Sequence, residues 1–168
     1  FAAATNAKSA KPLSVLALSR FSRLFSNRFV LGKHDCEFRA KLWNEVTDAI
    51  RDFFRSRGYI EVMTPIIVAS PGMEPNLDPV NVELHPIGKS VVTAGLITSP
   101  EYSMKKLLSA GMEKIFTLTP VFLDKEEMGG THAIEFTMLE WYRQGANYDA
   151  CMEDTEELVN RILGFDER

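Results

Sequence analysis

Glu135-Phe-Thr-Met-Leu-Glu-Trp-Tyr-Arg143 is the stretch on which the reading of this chain turns. Its aromatic and β-branched content predicts the body of a strand that runs from His132 to Arg143. Side chains alternate faces along a strand, so Phe136, Met138, Glu140 and Tyr142 share one side. An aromatic platform, a carboxylate and a phenol in a row are what a flat purine and a cationic amine require. The plainer alternative is a half-buried sheet face whose Glu140 is capped by a neighbour, and spacing alone favours that alternative.

Working outward, Lys114–Phe122 reads as a partner strand, and the charged, glycine-containing loop Leu123–Thr131 turns the chain between the two. Beyond the decisive stretch, Tyr148–Leu163 reads as a helix capped by Asn147 or Asp149. Upstream, Phe38, Leu42, Val46, Ile50 and Phe54 recur every four residues with Trp43 and Phe53 beside them, an amphipathic helix of about five turns. Gly58 suits the left-handed position that closes such a helix. Tyr59–Thr64 then reads as a strand stopped by Pro65, with Ile66–Val68 extending its edge.

Six Pro and Gly residues between 69 and 90 mark loops and short strands. Val91–Thr98 recovers strand character. A helix starts after it, with Thr98 or Ser99 as cap, Pro100 at the first helical position and Glu101 in the first turn. Met104, Leu107 and Leu108 give that helix its buried side, and Gly111 ends it. Helix, strand, loops, strand, helix, hairpin and helix do not alternate as a doubly wound sheet does. The order predicts an α+β domain with a mainly antiparallel sheet flanked by helices.

At 168 residues the chain fits one domain, and 45% hydrophobic with 25% charged residues is ordinary for a globular protein. No apolar run approaches the roughly 18 residues of a membrane span. Cys36 and Cys151 form no ligand pattern and read as free thiols in a reducing compartment. His34, His85 and His132 are scattered, so no metal site is expected. The net charge of −4 hides an asymmetry: residues 1–34 carry six bases and no acid, which leaves −10 on the remainder. The acidic body does not suit nucleic acid, so ribosomal RNA contact is expected only through the arm 1–34.

That arm, rich in Ser and Arg, has the composition of an organellar targeting segment, mitochondrial ahead of plastid, with a flexible arm of a cytoplasmic protein as the alternative. The opening Phe1 suits a processed product or an incomplete chain. Residues 35–168 form the predicted domain.

Three segments together resemble the lysine-type class II aminoacyl-tRNA synthetases, and most closely the elongation factor P–lysine ligases. Gly58-Tyr-Ile-Glu-Val-Met-Thr-Pro65 is similar to motif 1. Thr98-Ser-Pro-Glu-Tyr-Ser-Met-Lys-Lys-Leu-Leu-Ser-Ala-Gly111 is similar to a segment beside the amino-acid pocket. Glu126-Glu-Met-Gly, His132 and Glu135–Arg143 together resemble motif 2. The resemblance covers roughly residues 37–160 and implies a partial class II catalytic fold. It implies that Phe136 stacks on adenine, with Glu126 and His132 also on the nucleotide side. It further implies that Glu140 and Tyr142, with Ser99, Pro100 and Glu101, line a lysine pocket, and that region 37–65 makes a homodimer-like contact.

The family activates lysine with ATP, and a motif 2 arginine neutralises the charge that builds at the α-phosphate. Here the arginine's place falls on Leu123 or Asp124, with Lys125 as a substitute that lacks the planar fork. Loss of one preorganised charge stabiliser costs on the order of 10²–10³ in rate. The family's His-Asn-Pro-Glu-Phe reads His132-Ala-Ile-Glu-Phe136, and motif 3 does not occur before Arg168. These departures, with the basic arm, lead to the expectation of a non-catalytic pseudoenzyme. On that reading the chain is a structural subunit, buried against protein partners in a large organellar assembly such as a mitochondrial ribosome or a respiratory or ATP synthase complex, with no cofactor. Two alternatives stay open: an ATP- and Mg-dependent lysine ligase, and a module that senses ATP or lysine without turnover.

Overall fold

The computed structural model describes residues 33–72, 75, 77–125 and 133–164. The elements run α1 (Lys33–Ser56), β1 (Ile60–Glu61), β2 (Ile67–Val68), β3 (Asn81–Leu84), β4 (Val92–Leu96), α2 (Glu101–Ser109), β5 (Lys114–Phe122), β6 (Glu135–Arg143) and α3 (Tyr148–Leu163). They build two three-stranded sheets, ordered β1-β5-β6 and β2-β4-β3. All pairings are antiparallel except β1 with β5. The expected α+β layout holds, with one correction at Pro65. Ile67 and Val68 do not extend the β1 edge but pair with Leu96 and Gly95 of the second sheet. Proline ends one pairing, and the chain crosses to another strand.

α1 ends as its sequence predicts. Gly58 has φ 77°, and the Gly58 and Tyr59 N–H groups donate to Arg55 and Phe54 carbonyls. The turn delivers Tyr59 into the core and leaves β1 short, since only Ile60 and Glu61 pair with β5 before Met63 swings fully into solvent. That brevity explains Pro120. Within β5 the proline lies beyond the reach of β1, so its missing N–H interrupts no ladder on that side.

The principal core lies between α1, α3 and the first sheet. Ile50, Phe53, Phe54, Tyr59, Phe116 and Leu158 are buried together, with Val46, Leu118, Leu139, Trp141 and Ile162 packed around them. Phe54 is its centre: it stacks on Phe116 at 4.9 Å and meets Phe53 and Tyr59 edge-on at 5.1 Å. The predicted stripe on α1 joins this core from Val46 onward, with Leu42 half-buried and Phe38 67% exposed.

Polar contacts fix how these layers meet. Tyr59 Oη donates to buried Asp154 on α3 at 2.9 Å, and Arg143 at the end of β6 lies 3.7 Å from the same carboxylate oxygen. Arg51 bonds Glu61 at 3.0 Å, and Arg57 pairs with Glu157 while its guanidinium lies 3.6 Å from the Phe53 ring centroid.

Phe54→Ala removes the ring that meets Phe53, Tyr59, Phe116 and Trp141 and should cost roughly 3–5 kcal/mol, read as a lower urea midpoint. Burial, then the bond to Asp154, pushes the Tyr59 hydroxyl from its ordinary 10.0 up to about 12. The folded state therefore keeps a proton that the unfolded chain releases, so this stabilisation is full below pH 10 and is lost as pH rises toward 12. Tyr59→Phe should be less stable than the parent at neutral pH, because Asp154 loses its donor. Its stability should fall less steeply across the alkaline window in the same urea titrations.

Candidate functional site

The site is assembled where the β4–α2 link meets the middle of β6. Ile97 is pinned on both sides, its N–H donating to Ile66 O and its carbonyl accepting from Phe122 N–H, both at 2.9 Å. Thr98 is buried against Gly72, where an added Cβ would stand 2.5 Å from the Thr98 hydroxyl oxygen. Pro100 is fully buried and occupies the N-cap, one position earlier than expected, so α2 begins at Glu101. Ser99 still caps the helix, because its Oγ accepts the Glu101 N–H at 3.0 Å.

The same Ser99 hydroxyl donates to Glu140 Oε2 at 2.9 Å, and Tyr142 Oη donates to Glu140 Oε1 at 2.7 Å. Each carboxylate oxygen thus holds one neutral donor and keeps lone-pair capacity for another partner. Glu140 makes no ion pair with a Lys or Arg among the described residues, and the group is partly open to solvent. Burial, and then the bond to Glu140, holds the Tyr142 hydroxyl well above the usual phenol range, so it remains a donor at neutral pH. Glu101 is engaged by Lys105 one turn along α2, and that carboxylate raises the lysine's pKa.

The alternation predicted for β6 is visible in its contacts. Leu139 and Trp141 pack on the core, while Glu140 on the other side meets Ser99 and Tyr142. Phe136 is half-buried, paired in register with Val121, on the Glu140 side and four residues away, about 13 Å along the strand. Ser99, Glu140 and Tyr142 are therefore brought together with Pro100 and Glu101 beside them. Glu126 and His132 lie outside the described residues.

The region that departs from motif 2 is locked in place. Leu123 N–H donates to Ile134 O at 2.9 Å, and Asp124 N–H donates to Asp78 O at 2.7 Å. Lys125, at φ 56°, is ion-paired with Asp78 at 3.1 Å. The substitute for the arginine is thus already engaged by a carboxylate. No cluster of metal-ligating side chains occurs among the described residues, and none of their helices is long and apolar enough to cross a membrane.

Two contacts had no sequence signal. Thr117 stands opposite Glu140 in the β5–β6 register, which only the pairing reveals. The Gln144 side chain donates to the Leu108 and Met112 carbonyls at 3.0 and 3.1 Å, a tertiary contact with no local motif.

The fold is that of the class II synthetases. Residues 24–165 match the family described as tRNA synthetases class II (D, K and N), and the chain belongs to that family. It is 44% identical over 125 residues to an elongation factor P–(R)-β-lysine ligase homolog of Aquifex aeolicus, covering 74% of this chain and 42% of that protein. It is 42% identical over 126 residues to the elongation factor P–(R)-β-lysine ligase of Mannheimia succiniciproducens, covering 74% of this chain and 38% of the relative. The chain thus spans about two-fifths of the curated relatives it matches. The asparaginyl-tRNA synthetase of Pyrococcus horikoshii, solved with asparaginyl-adenylate, superposes with a TM-score of 0.63 at 25% identity, over 74% of this chain and 27% of that one.

Proposed function

We propose that the chain carries the amino-acid-binding part of an ATP-dependent lysine ligase of the aminoacyl-adenylate-forming type, with Glu140 receiving an amino group of a lysine-like substrate. The carrying observation is the carboxylate itself. It is partly buried, steadied by two neutral hydroxyls, and in direct ion pair with no Lys or Arg among the described residues, since the nearby Lys105 is paired with Glu101 and feels Glu140 only at longer range. An ammonium, with three donors and a positive charge, is the complement to such a group. The names of the relatives, ligases of (R)-β-lysine, support the same class of substrate.

In the reaction of this class, a carboxylate oxygen of the amino acid attacks the α-phosphorus of ATP and pyrophosphate leaves. Ser99 and Tyr142 orient Glu140 on the amine. Phe136 offers an aromatic face to the base, about 13 Å along the same side of β6. At Leu123–Lys125 no arginine stands to receive the phosphates, and the cation there, Lys125, is exposed and paired with Asp78.

That last observation favours a second reading, a synthetase-derived module that binds without turnover. The relatives' names back the ligase reading over it.

Lysine-dependent exchange of labelled pyrophosphate into ATP separates these readings. The ligase reading expects exchange that saturates with lysine. It also expects Glu140→Gln to raise the lysine KM about tenfold or more, since a hydrogen bond to a charged group is worth ~1.5–3 kcal/mol. Lysine binding with no exchange would leave a sensor. Neither binding nor exchange would leave a structural role.

A further inference from the structure

Gln144 sits just past β6 and is exposed. Its side-chain amide donates both hydrogens to carbonyls at the end of α2, Leu108 O at 3.0 Å and Met112 O at 3.1 Å. Its own backbone N–H donates to Glu113 O at 2.8 Å. Leu108 O, in the last turn of α2, already accepts the Gly111 N–H at 3.0 Å, so the amide adds a second bond there and ties Met112 O just beyond the helix.

The other end of α2 is tied to the same strand. Ser99 joins Glu140 through its hydroxyl and α2 through the Glu101 N–H. The two ties match in length. Glu140 to Gln144 spans four strand residues, about 13 Å at ~3.3 Å each. Ser99 to Leu108 spans nine residues, also about 13 Å at ~1.5 Å each. α2 therefore runs alongside the end of β6 in the same direction, clamped at both ends, with Ser99 and Glu140 at one clamp and Gln144 at the other.

We infer that Gln144 is a positioning residue for the amine-binding carboxylate: by holding the far end of α2 it fixes where Ser99 stands and so the orientation of Glu140. With the clamp released, α2 pivots about its N-terminal tie, and the tie that gives way is the single hydroxyl bond to Glu140. The inference deepens the lysine-ligase reading and rests on it for its consequence, though not for its geometry.

The test uses the full chain and three forms: parent, Gln144→Glu and Gln144→Lys. Glutamate keeps the shape but removes both donors and faces two carbonyls with a negative charge; lysine restores a donor. The first readout is the Glu101 amide by NMR, its shift and its hydrogen-exchange rate, because that N–H reports on Ser99. The Ala150 amide, bonded to Asn147 Oδ1 at 3.1 Å on α3, serves as the control. Gln144→Glu should move the Glu101 resonance and speed its exchange about tenfold, the equivalent of one typical hydrogen bond, with Ala150 unchanged. Gln144→Lys should bring it back. The second readout is affinity: the lysine Kd should rise about tenfold in Gln144→Glu and recover in Gln144→Lys, while the ATP Kd stays put.

An unmoved Glu101 amide in Gln144→Glu overturns the inference, as does equal disturbance of Ala150, which would mark a general loss of structure. A parent that binds no lysine sinks the proposed function, and the amide readout then decides the positioning role alone.

Discussion

The register of β5 against β6 is the constraint on which the rest depends. Nine consecutive pairs, from Lys114 with Arg143 to Phe122 with Glu135, decide which side of the sheet each residue faces. A slip of one residue would send Glu140 and Tyr142 into the aromatic core and Trp141 out to Ser99. Burial of Trp141 and Leu139 against Phe54 makes that slip costly, so the core's demand for apolar groups on one face also presents Glu140 on the other. Fold stability and site geometry are thus enforced by the same pairing.

The polar groups add directional precision that apolar packing lacks. Tyr59, Asp154 and Arg143 join the end of α1, the middle of α3 and the end of β6 inside the protein. A buried carboxylate deprived of these partners would be expensive, so the three elements meet in one arrangement. Within a few residues of that lock, Tyr142 and Gln144 face the opposite layer. The end of β6 is consequently held from both sides, by α1 and α3 on one and by α2 on the other.

Much of this was legible in the sequence because it rests on local chemistry. The period of Val46, Ile50 and Phe54, the left-handed Gly58 and the strand Lys114–Phe122 follow from spacing and backbone preference and are present; of the two expected caps of α3 Asn147 is the one used, and the strand expected from His132 begins at Glu135. The gathering of Ser99, Glu140 and Tyr142 was expected only from resemblance, since strand alternation pairs Glu140 with Tyr142 but says nothing of Ser99, 41 positions away. What escaped reading was tertiary: the transfer of Ile67–Val68 to a second sheet, the Tyr59–Asp154 lock, and the Gln144 clamp. Each joins residues whose separation in sequence carries no periodic signal. The expected organellar role drew on composition and on the altered motif 2. The relatives' names point elsewhere, to ligation of a lysine-like amino acid.

The central claim is that the Glu140 cluster is a cradle for the side-chain ammonium of a lysine-like amino acid. Calorimetric titration of the full chain with lysine and, separately, with norleucine, which has the same apolar chain but no side-chain amine, tests it most directly. The account predicts saturable lysine binding and norleucine binding weaker by at least about thirtyfold, because truncating one partner of a charge pair costs ~2 kcal/mol or more. Equal affinity for the two amino acids, or no binding of either, would contradict it.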